Sequence, residues 1–156
     1  MLLTLLRHAE AESHATSDFD RELTEKGREQ ADRVARFLIS SRLVPGVILA
    51  SPLVRAQQTA QIISQRAKAP LQEARWLEIG MEPETCLQEV QKHEAGEHVM
   101  LVGHEPDLSH VIAHILGVAD PSVLKIRKAS LTGVELADFH PGCGLLHFFV
   151  PVRLMC

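Results

Sequence analysis

The sequence has little cysteine, no surplus of basic residues and no long apolar run, and each lack excludes a class of protein. Cys86, Cys143 and Cys156 are an odd set without CxxC spacing, so neither a disulfide framework nor a zinc ribbon is indicated. No stretch approaches the ~20 apolar residues of a membrane-spanning helix. The opening apolar run covers only residues 1–6 and follows no basic region, so we interpret it as a strand and not a signal peptide. These features favour a cytoplasmic enzyme or binding domain.

The numbers of acidic and basic residues limit the classes of molecule that the protein is expected to bind. The chain has 16 basic and 20 acidic residues, for a formal net charge of −4. This argues against a general affinity for nucleic acid or anionic membranes, although it is compatible with a local basic pocket. The length of 156 residues and the 46% of hydrophobic residues suit one core. We therefore expect residues 1–156 to form a single domain.

A recurring unit of apolar strand, short polar turn and amphipathic helix organises the chain. The apolar pattern predicts strands at 2–7, 47–51, 98–102, 130–138 and 144–150. The first three alternate with helices and should pair in parallel, whereas the last two flank a turn typical of an antiparallel hairpin. The predicted fold class is α/β, with a mixed, mostly parallel sheet flanked by helices.

Three helix starts are predicted from their capping residues. Thr24 is an expected N-cap for the first helix, and Ser51 followed by Pro52 is expected to start the second. Asp107 is the expected N-cap of the fourth helix, which should end at Gly117. Residues 68–84 are expected to be irregular. A third helix is expected to start near residue 85.

Candidate phosphate ligands follow each of the three predicted parallel strands. Arg7 and His8 follow the first strand, Arg55 the second and His104 the third. Because parallel strands end at one edge of a sheet, these side chains should converge near the N-termini of the following helices. Guanidinium groups and an imidazole together suit a dianionic phosphoryl group.

Each of these residues alone also has an ordinary structural interpretation. His8 by itself could be a core histidine, and Arg55 by itself a solvated arginine. Arg55, however, lies in the first turn of its helix, where a cation is disfavoured by roughly 0.3–1 kcal/mol. A histidine near two arginines should stay neutral and can then act as a nucleophile. We interpret His8 as the nucleophile and His104 as a group that stabilises charge on the transferring phosphoryl group.

Four motifs, in this order along the chain, are similar to the successive motifs of the histidine phosphatase superfamily. They are Arg7-His8-Ala9-Glu10, Leu23-Thr24-Glu25-Lys26-Gly27, Ser51-Pro52-Leu53-Val54-Arg55-Ala56-Gln57-Gln58-Thr59 and Val102-Gly103-His104-Glu105-Pro106. The short chain and brief 68–84 segment resemble most the SixA-type protein phosphohistidine phosphatases. Ala9 is a departure, because the superfamily usually has glycine at this position.

The resemblance implies a three-layer, phosphoglycerate-mutase-like fold without a large helical lid. It also implies that His8 is transiently phosphorylated, that Arg7, Arg55 and His104 bind the phosphate, and that no metal or other cofactor is needed. The substrate would be a phosphorylated protein such as a histidine-phosphotransfer domain. Glu78 is the best positional match for the general acid, with Glu82 as a rival. Ser130 is a weaker candidate for a phosphate contact.

Three alternatives stay open at this stage. The same site could hydrolyse small phosphomonoesters such as sugar phosphates. The chain could instead be a catalytically inactive module that only binds phosphate. Finally, His110 and His114 are spaced i, i+4 as in zinc-binding helices, although no HExxH glutamate accompanies them.

Overall fold

The computed structural model describes residues 1–93 and 97–156 as a six-stranded sheet with helices on both faces. In chain order, the strands and α-helices are β1 (Leu2–Arg7), α1 (Glu25–Ser40), β2 (Val47–Ala50), α2 (Val54–Ala67), β3 (Leu71–Glu73), α3 (Pro83–Val90), β4 (His98–Gly103), α4 (Asp107–Leu116), β5 (Leu131–Leu136) and β6 (Gly144–Val150). None of the helices in these residues is both long enough and apolar enough to cross a membrane.

The sheet is mixed, with a parallel centre and an antiparallel edge. Its strand order is β3-β2-β4-β1-β5-β6, in which β4 pairs in parallel with both β1 and β2, while β5 pairs antiparallel with β1 and β6. Arg7 lies opposite Gly103, and Ala50 lies opposite Val102. The ends of β1, β2 and β4 are therefore level, so the residues that follow them meet at one edge. This confirms the predicted fold class.

Strand β1 is buried on both faces, which explains its nearly continuous apolar sequence. Leu5 packs into the core beneath α3 and α4, and the next residue, Leu6, packs into the opposite core beneath α1 and α2. Both leucines have no exposed surface. Because successive side chains of this central strand point to opposite faces, the strand contributes to both cores. The sheet is therefore the middle layer of three.

One predicted helix cap is confirmed and two are wrong. Thr24 caps α1, accepting a hydrogen bond from the Gly27 N–H at 3.0 Å. Helix α2 starts at Val54 and has no side-chain cap, because the Ser51 hydroxyl bonds to His104. Helix α4 has Pro106 at its N-cap position. The Asp107 carboxylate instead accepts the Gly80 N–H at 2.9 Å, so tertiary partners displace the expected caps.

The segment predicted to be irregular contains the short strand β3, at the sheet edge beside β2. Three residues are too few to show a periodic pattern, and this strand forms by pairing with its neighbour. A 3-10 helix, Arg75–Leu77, follows it. The predicted hairpin of β5 and β6 is confirmed, and so is the left-handed Gly117 at the end of α4, with φ +71°.

The N-terminus of α1 packs directly on the loop that follows β1. The Glu10 carbonyl accepts the Thr24 N–H at 3.0 Å, and a Cβ placed on Gly27 would lie 2.0 Å from the same oxygen. Only glycine fits this approach of helix to backbone.

We therefore expect Gly27→Ala to lower the free energy of unfolding by about 1–3 kcal/mol, because the helix or the loop must shift. Urea denaturation measures this loss. Gly46→Ala is the matched control, since its added Cβ meets the flexible Glu97 side chain at 3.3 Å and the His98 carbonyl oxygen at an ordinary contact distance of 3.5 Å. Equal stability of the two variants would contradict the close packing at Gly27.

Candidate active site

His8 lies immediately beyond β1 and is held in one orientation. Its backbone N–H donates to the Gly103 carbonyl at 3.0 Å, which extends the β1–β4 pairing by one residue. Its Nδ1 lies 2.7 Å from the Ala9 carbonyl oxygen. A carbonyl oxygen can only accept, so Nδ1 carries the proton in this bond. The neutral ring therefore has its lone pair on Nε2.

Helix α2 holds the loop that carries His8. The Ala9 N–H donates to the Thr59 hydroxyl at 3.1 Å, and this hydroxyl donates to the Arg55 carbonyl at 2.7 Å. Thr59 has no exposed surface. Thr59 lies within one of the four motifs, but it is not among the predicted site residues. Its place one helical turn after Arg55 is the signal that could have suggested a role.

Arg55 brings its guanidinium to the Nε2 side of the His8 imidazole. The side chain is buried, and its Nε lies 3.3 Å from His8 Nε2, the nitrogen with the lone pair. Its other nitrogens donate to Asp18, to the carbonyl at 2.7 Å and to the carboxylate at 3.1 Å. A carboxylate from the 11–23 loop therefore compensates the Arg55 charge. Asp18 is not among the predicted site residues, because no neighbouring residue in the sequence indicates that it pairs with Arg55, 37 residues away.

His104 faces His8 from the end of β4. The two ring centroids are 5.4 Å apart. His104 Nε2 lies 2.7 Å from the Ser51 hydroxyl, whereas its buried Nδ1 has no hydrogen-bond partner within the described residues. Ser51, which follows β2, thus orients this second imidazole and leaves one ring nitrogen available.

Arg7 is tied to the opposite side of the site. Its Nη1 donates to the Ile126 carbonyl at 2.9 Å, and its buried Nε has no partner in the part of the chain that the structure describes. Burial lowers the pKa of the guanidinium, and the nearby Glu105 carboxylate opposes this shift. Arg7 is also close enough for its charge to lower the pKa of both His8 and His104.

The electrostatic setting keeps both imidazoles neutral. Burial, with contributions from His104, Arg55 and Arg7, lowers the pKa of His8 from 6.5 to about 3. Burial and the charge of Arg55 lower the pKa of His104 to about 4. The site thus combines two fixed cations with two neutral rings, an arrangement that can bind an anion and present a nitrogen lone pair to it.

The two candidate acids lie in different surroundings. The exposed Glu78 follows Leu77, whose side chain approaches Gly103 beside His104. Glu82 borders a cavity of about 380 Å³ between α3 and α4, together with His110 and His114. None of His8, Arg7, Arg55 and His104 lines that cavity.

The zinc alternative lacks a ligand set. Within residues 1–93 and 97–156, no group of three or more His, Cys, Asp or Glu side chains could hold a metal ion. The nearest carboxylate to His114 is on Glu84, with an N–O distance of 3.8 Å. His110 and His114 therefore form no metal centre with their neighbours in these residues.

Comparison with known proteins identifies the family. Residues 3–83 match the model of the histidine phosphatase superfamily (branch 1). A phosphohistidine phosphatase SixA homolog of Haemophilus influenzae is 31% identical over 132 residues, which cover 78% of this chain and 80% of that protein.

Solved structures show the same fold. The structure of the protein histidine phosphatase SixA complexed with tungstate has a TM-score of 0.88 and 21% identity, covering 98% of each chain. A phosphoserine phosphatase variant from Entamoeba histolytica has a TM-score of 0.76 and 18% identity, covering 97% of this chain and 98% of that one. The chain therefore belongs to the histidine phosphatase superfamily and is a phosphatase similar to SixA.

Proposed function

We propose that this protein dephosphorylates phosphohistidine on a protein, through a covalent phosphohistidine intermediate on His8. The observation that carries the proposal is the hydrogen bond of His8 Nδ1 to the Ala9 carbonyl, at 2.7 Å, which leaves Nε2 as the nucleophile. Nε2 lies beside Arg55 and within the same site as His104. A neutral nucleophile among cations suits attack on a phosphoryl group.

The reaction has two steps. In the first, the lone pair of His8 Nε2 attacks phosphorus, the bond from phosphorus to the substrate nitrogen breaks, and the leaving imidazole takes up a proton. In the second, water attacks the phosphoryl group on His8, the P–Nε2 bond breaks, and inorganic phosphate leaves with the oxygen and protons of that water. Arg7, Arg55 and His104 stabilise the negative charge in both steps.

In this mechanism the Asp18 carboxylate has to move away from Arg55. Two of the three Arg55 guanidinium nitrogens donate to Asp18. Nη1 donates to the Asp18 backbone carbonyl and Nη2 to the carboxylate, so a phosphoryl group that takes the place of the carboxylate on Nη2 must displace it. The Asp18 side chain is 57% exposed, so it can move into solvent at little cost. Arg21, which pairs with Asp18 at 2.9 Å, can keep the released carboxylate paired.

Two observations favour a protein substrate over a small phosphomonoester. The Haemophilus relative is described as a phosphohistidine phosphatase homolog. Residues 68–82, which the structure describes completely, contain only β3 and a short 3-10 helix and so have no helical lid. An uncovered site can accept the side chain of a folded protein. Comparative kinetics on a phosphorylated histidine-phosphotransfer domain and on small esters tests this preference, and efficient turnover of esters alone would reverse it.

His8→Ala is expected to abolish turnover, because it removes the nitrogen that is proposed to form the covalent intermediate. In the wild-type enzyme, rapid alkaline quenching followed by mass spectrometry should find the phosphoryl group on His8. His140→Ala is the matched control, since His140 is an exposed histidine in the turn at the opposite edge of the sheet. Substantial activity of folded His8→Ala protein would contradict the mechanism.

Because the pKa values of His8 and His104 are about 3 and about 4, their imidazole NMR signals should show no protonation step from about pH 8 to pH 5. In the unfolded chain these groups titrate near 6.5, so the unfolded state binds more protons below that pH. The free energy of unfolding should therefore fall as the pH decreases from about 6.5 toward 3. A titration step of His8 near pH 6.5 would be incompatible with a neutral nucleophile held by burial.

Glu78→Gln tests the proposed general acid. An alkoxide is a poor leaving group, so hydrolysis of an alkyl phosphate should fall by about 10²–10⁴-fold. Hydrolysis of phosphohistidine should fall less, because imidazole leaves more easily. Glu82→Gln is the matched control and should retain both activities, since Glu82 borders the cavity between α3 and α4. Equal losses on both substrates would argue against this role of Glu78.

A further inference from the structure

A basic cavity adjoins the catalytic edge of the sheet. It has a volume of about 460 Å³ and lies between the start of α1, the turn before β5 and the segment after β6. Beside Gln30, its polar lining has five cations and one hydroxyl group, here called the basic groove: Arg7, Lys26, Arg127, Lys128, Ser130 and Arg153. Arg7 also belongs to the proposed phosphoryl site, and Ser130 is the weaker candidate for a phosphate contact named above.

The turn that carries two of these cations is anchored to the catalytic strand. The Ala129 N–H donates to the Arg7 carbonyl at 3.0 Å, and the Arg7 guanidinium donates to the Ile126 carbonyl at 2.9 Å. Arg127 and Lys128 are therefore held next to Arg7. A ligand bound in the basic groove would be adjacent to a phosphoryl group bound at Arg7.

The cations of the groove are short of carboxylate partners. Within residues 1–93 and 97–156, Arg127, Lys128 and Arg153 form no ion pair, and Lys26 alone pairs, with Glu10 at 3.1 Å. This contrasts with the net charge of −4 of the whole chain. Cations without a carboxylate partner among the described residues are thus clustered at this surface.

Ser130 provides an independent indication of a ligand. The residue has no exposed surface and borders the groove, yet its Oγ has no hydrogen-bond partner within the described part of the chain. Buried hydroxyl groups are nearly always hydrogen-bonded. A hydroxyl beside several cations is suited to donate to an oxygen of an anionic ligand.

The groove extends beyond a single anion site. An adjoining cavity of about 340 Å³ shares Lys26 and Arg153 with it and is also lined by Arg33 and by one acidic residue, Glu29. Lys26 and Arg33 lie two helical turns apart on the same face of α1. The cations therefore line a path that leads away from Arg7 along α1, and one phosphate or carboxylate would occupy only part of it.

We infer that the basic groove binds an acidic segment of the phosphoprotein substrate, close to its phosphorylated residue. This inference rests on the proposed function and adds a substrate preference to it. Glutamate or aspartate side chains of the substrate would contact Arg127, Lys128 and Arg153, and the Ser130 hydroxyl would donate to one carboxylate. The contact would orient the substrate while Arg7 and Arg55 hold its phosphoryl group.

The test measures binding and turnover separately. A fluorescently labelled, unphosphorylated glutamate-rich peptide and its glutamine counterpart are titrated with wild-type protein, with Arg127→Glu/Arg153→Glu and with Arg42→Glu/Lys68→Glu. The last variant has the same charge change at exposed positions on the opposite edge of the sheet. Phosphohistidine peptides with glutamate or glutamine flanks, and p-nitrophenyl phosphate, are then assayed for kcat/KM.

The wild type should bind the glutamate peptide on the order of tenfold more tightly than the glutamine peptide, and added salt should reduce the difference. Arg127→Glu/Arg153→Glu should lose this preference in both binding and kcat/KM while hydrolysing p-nitrophenyl phosphate as before. Arg42→Glu/Lys68→Glu should keep it. An unchanged preference in Arg127→Glu/Arg153→Glu would overturn the inference.

Two further outcomes are informative. If a small bisphosphate binds in the groove but the two peptides bind equally, the groove serves a small molecule and the inference is wrong. If the glutamate peptide binds selectively but no phosphohistidine peptide is hydrolysed, the groove is an acidic-segment site and the proposed phosphohistidine activity fails. The two claims therefore fail independently.

Discussion

The hydrogen bond between His8 Nδ1 and the Ala9 carbonyl is the interaction on which the chemistry of the site depends. It selects the ring nitrogen that keeps a lone pair and directs the other side of the ring toward Arg55. Ala9 can accept this bond only while its own position is fixed. Thr59 of α2 holds its N–H, and α1 packs on the next carbonyl through Gly27. The orientation of one imidazole is thus a product of how two helices pack on one loop.

Burial gives the same site its electrostatic character. A solvated histidine near neutral pH is partly charged, but His8 and His104 are buried beside arginines and therefore stay neutral. The positive charge of the site is on Arg7 and Arg55. The lone pair of the proposed nucleophile and the positive charge that binds the anion are therefore on different side chains, although Arg55 and His8 lie within hydrogen-bonding distance. Asp18 balances the Arg55 charge from an exposed loop.

The distribution of charge matters more than its sum. A net charge of −4 excludes a general affinity for polyanions, yet unpaired cations gather beside Arg7 and extend along α1. Parallel pairing brings the ends of β1, β2 and β4 to this edge, and the turn before β5 adds Arg127 and Lys128 to it. A chain that is acidic overall can therefore present a basic surface beside Arg7.

The sequence by itself determined the fold class. It also determined that Arg7, His8, Arg55 and His104 lie at one edge of the sheet. Hydrophobic periodicity marks the strands and helices, and parallel strands joined by helices must end on the same side of a sheet. Only the tertiary structure decided the roles of Ser51, Thr59, Asp18 and Asp107. Short polar side chains can cap a helix locally or bond to a distant partner, and these alternatives have similar energies. Packing of the folded chain brings one of these partners within hydrogen-bonding distance and keeps the others out of reach. The sequence around the residue contains no pattern that indicates which partner this is.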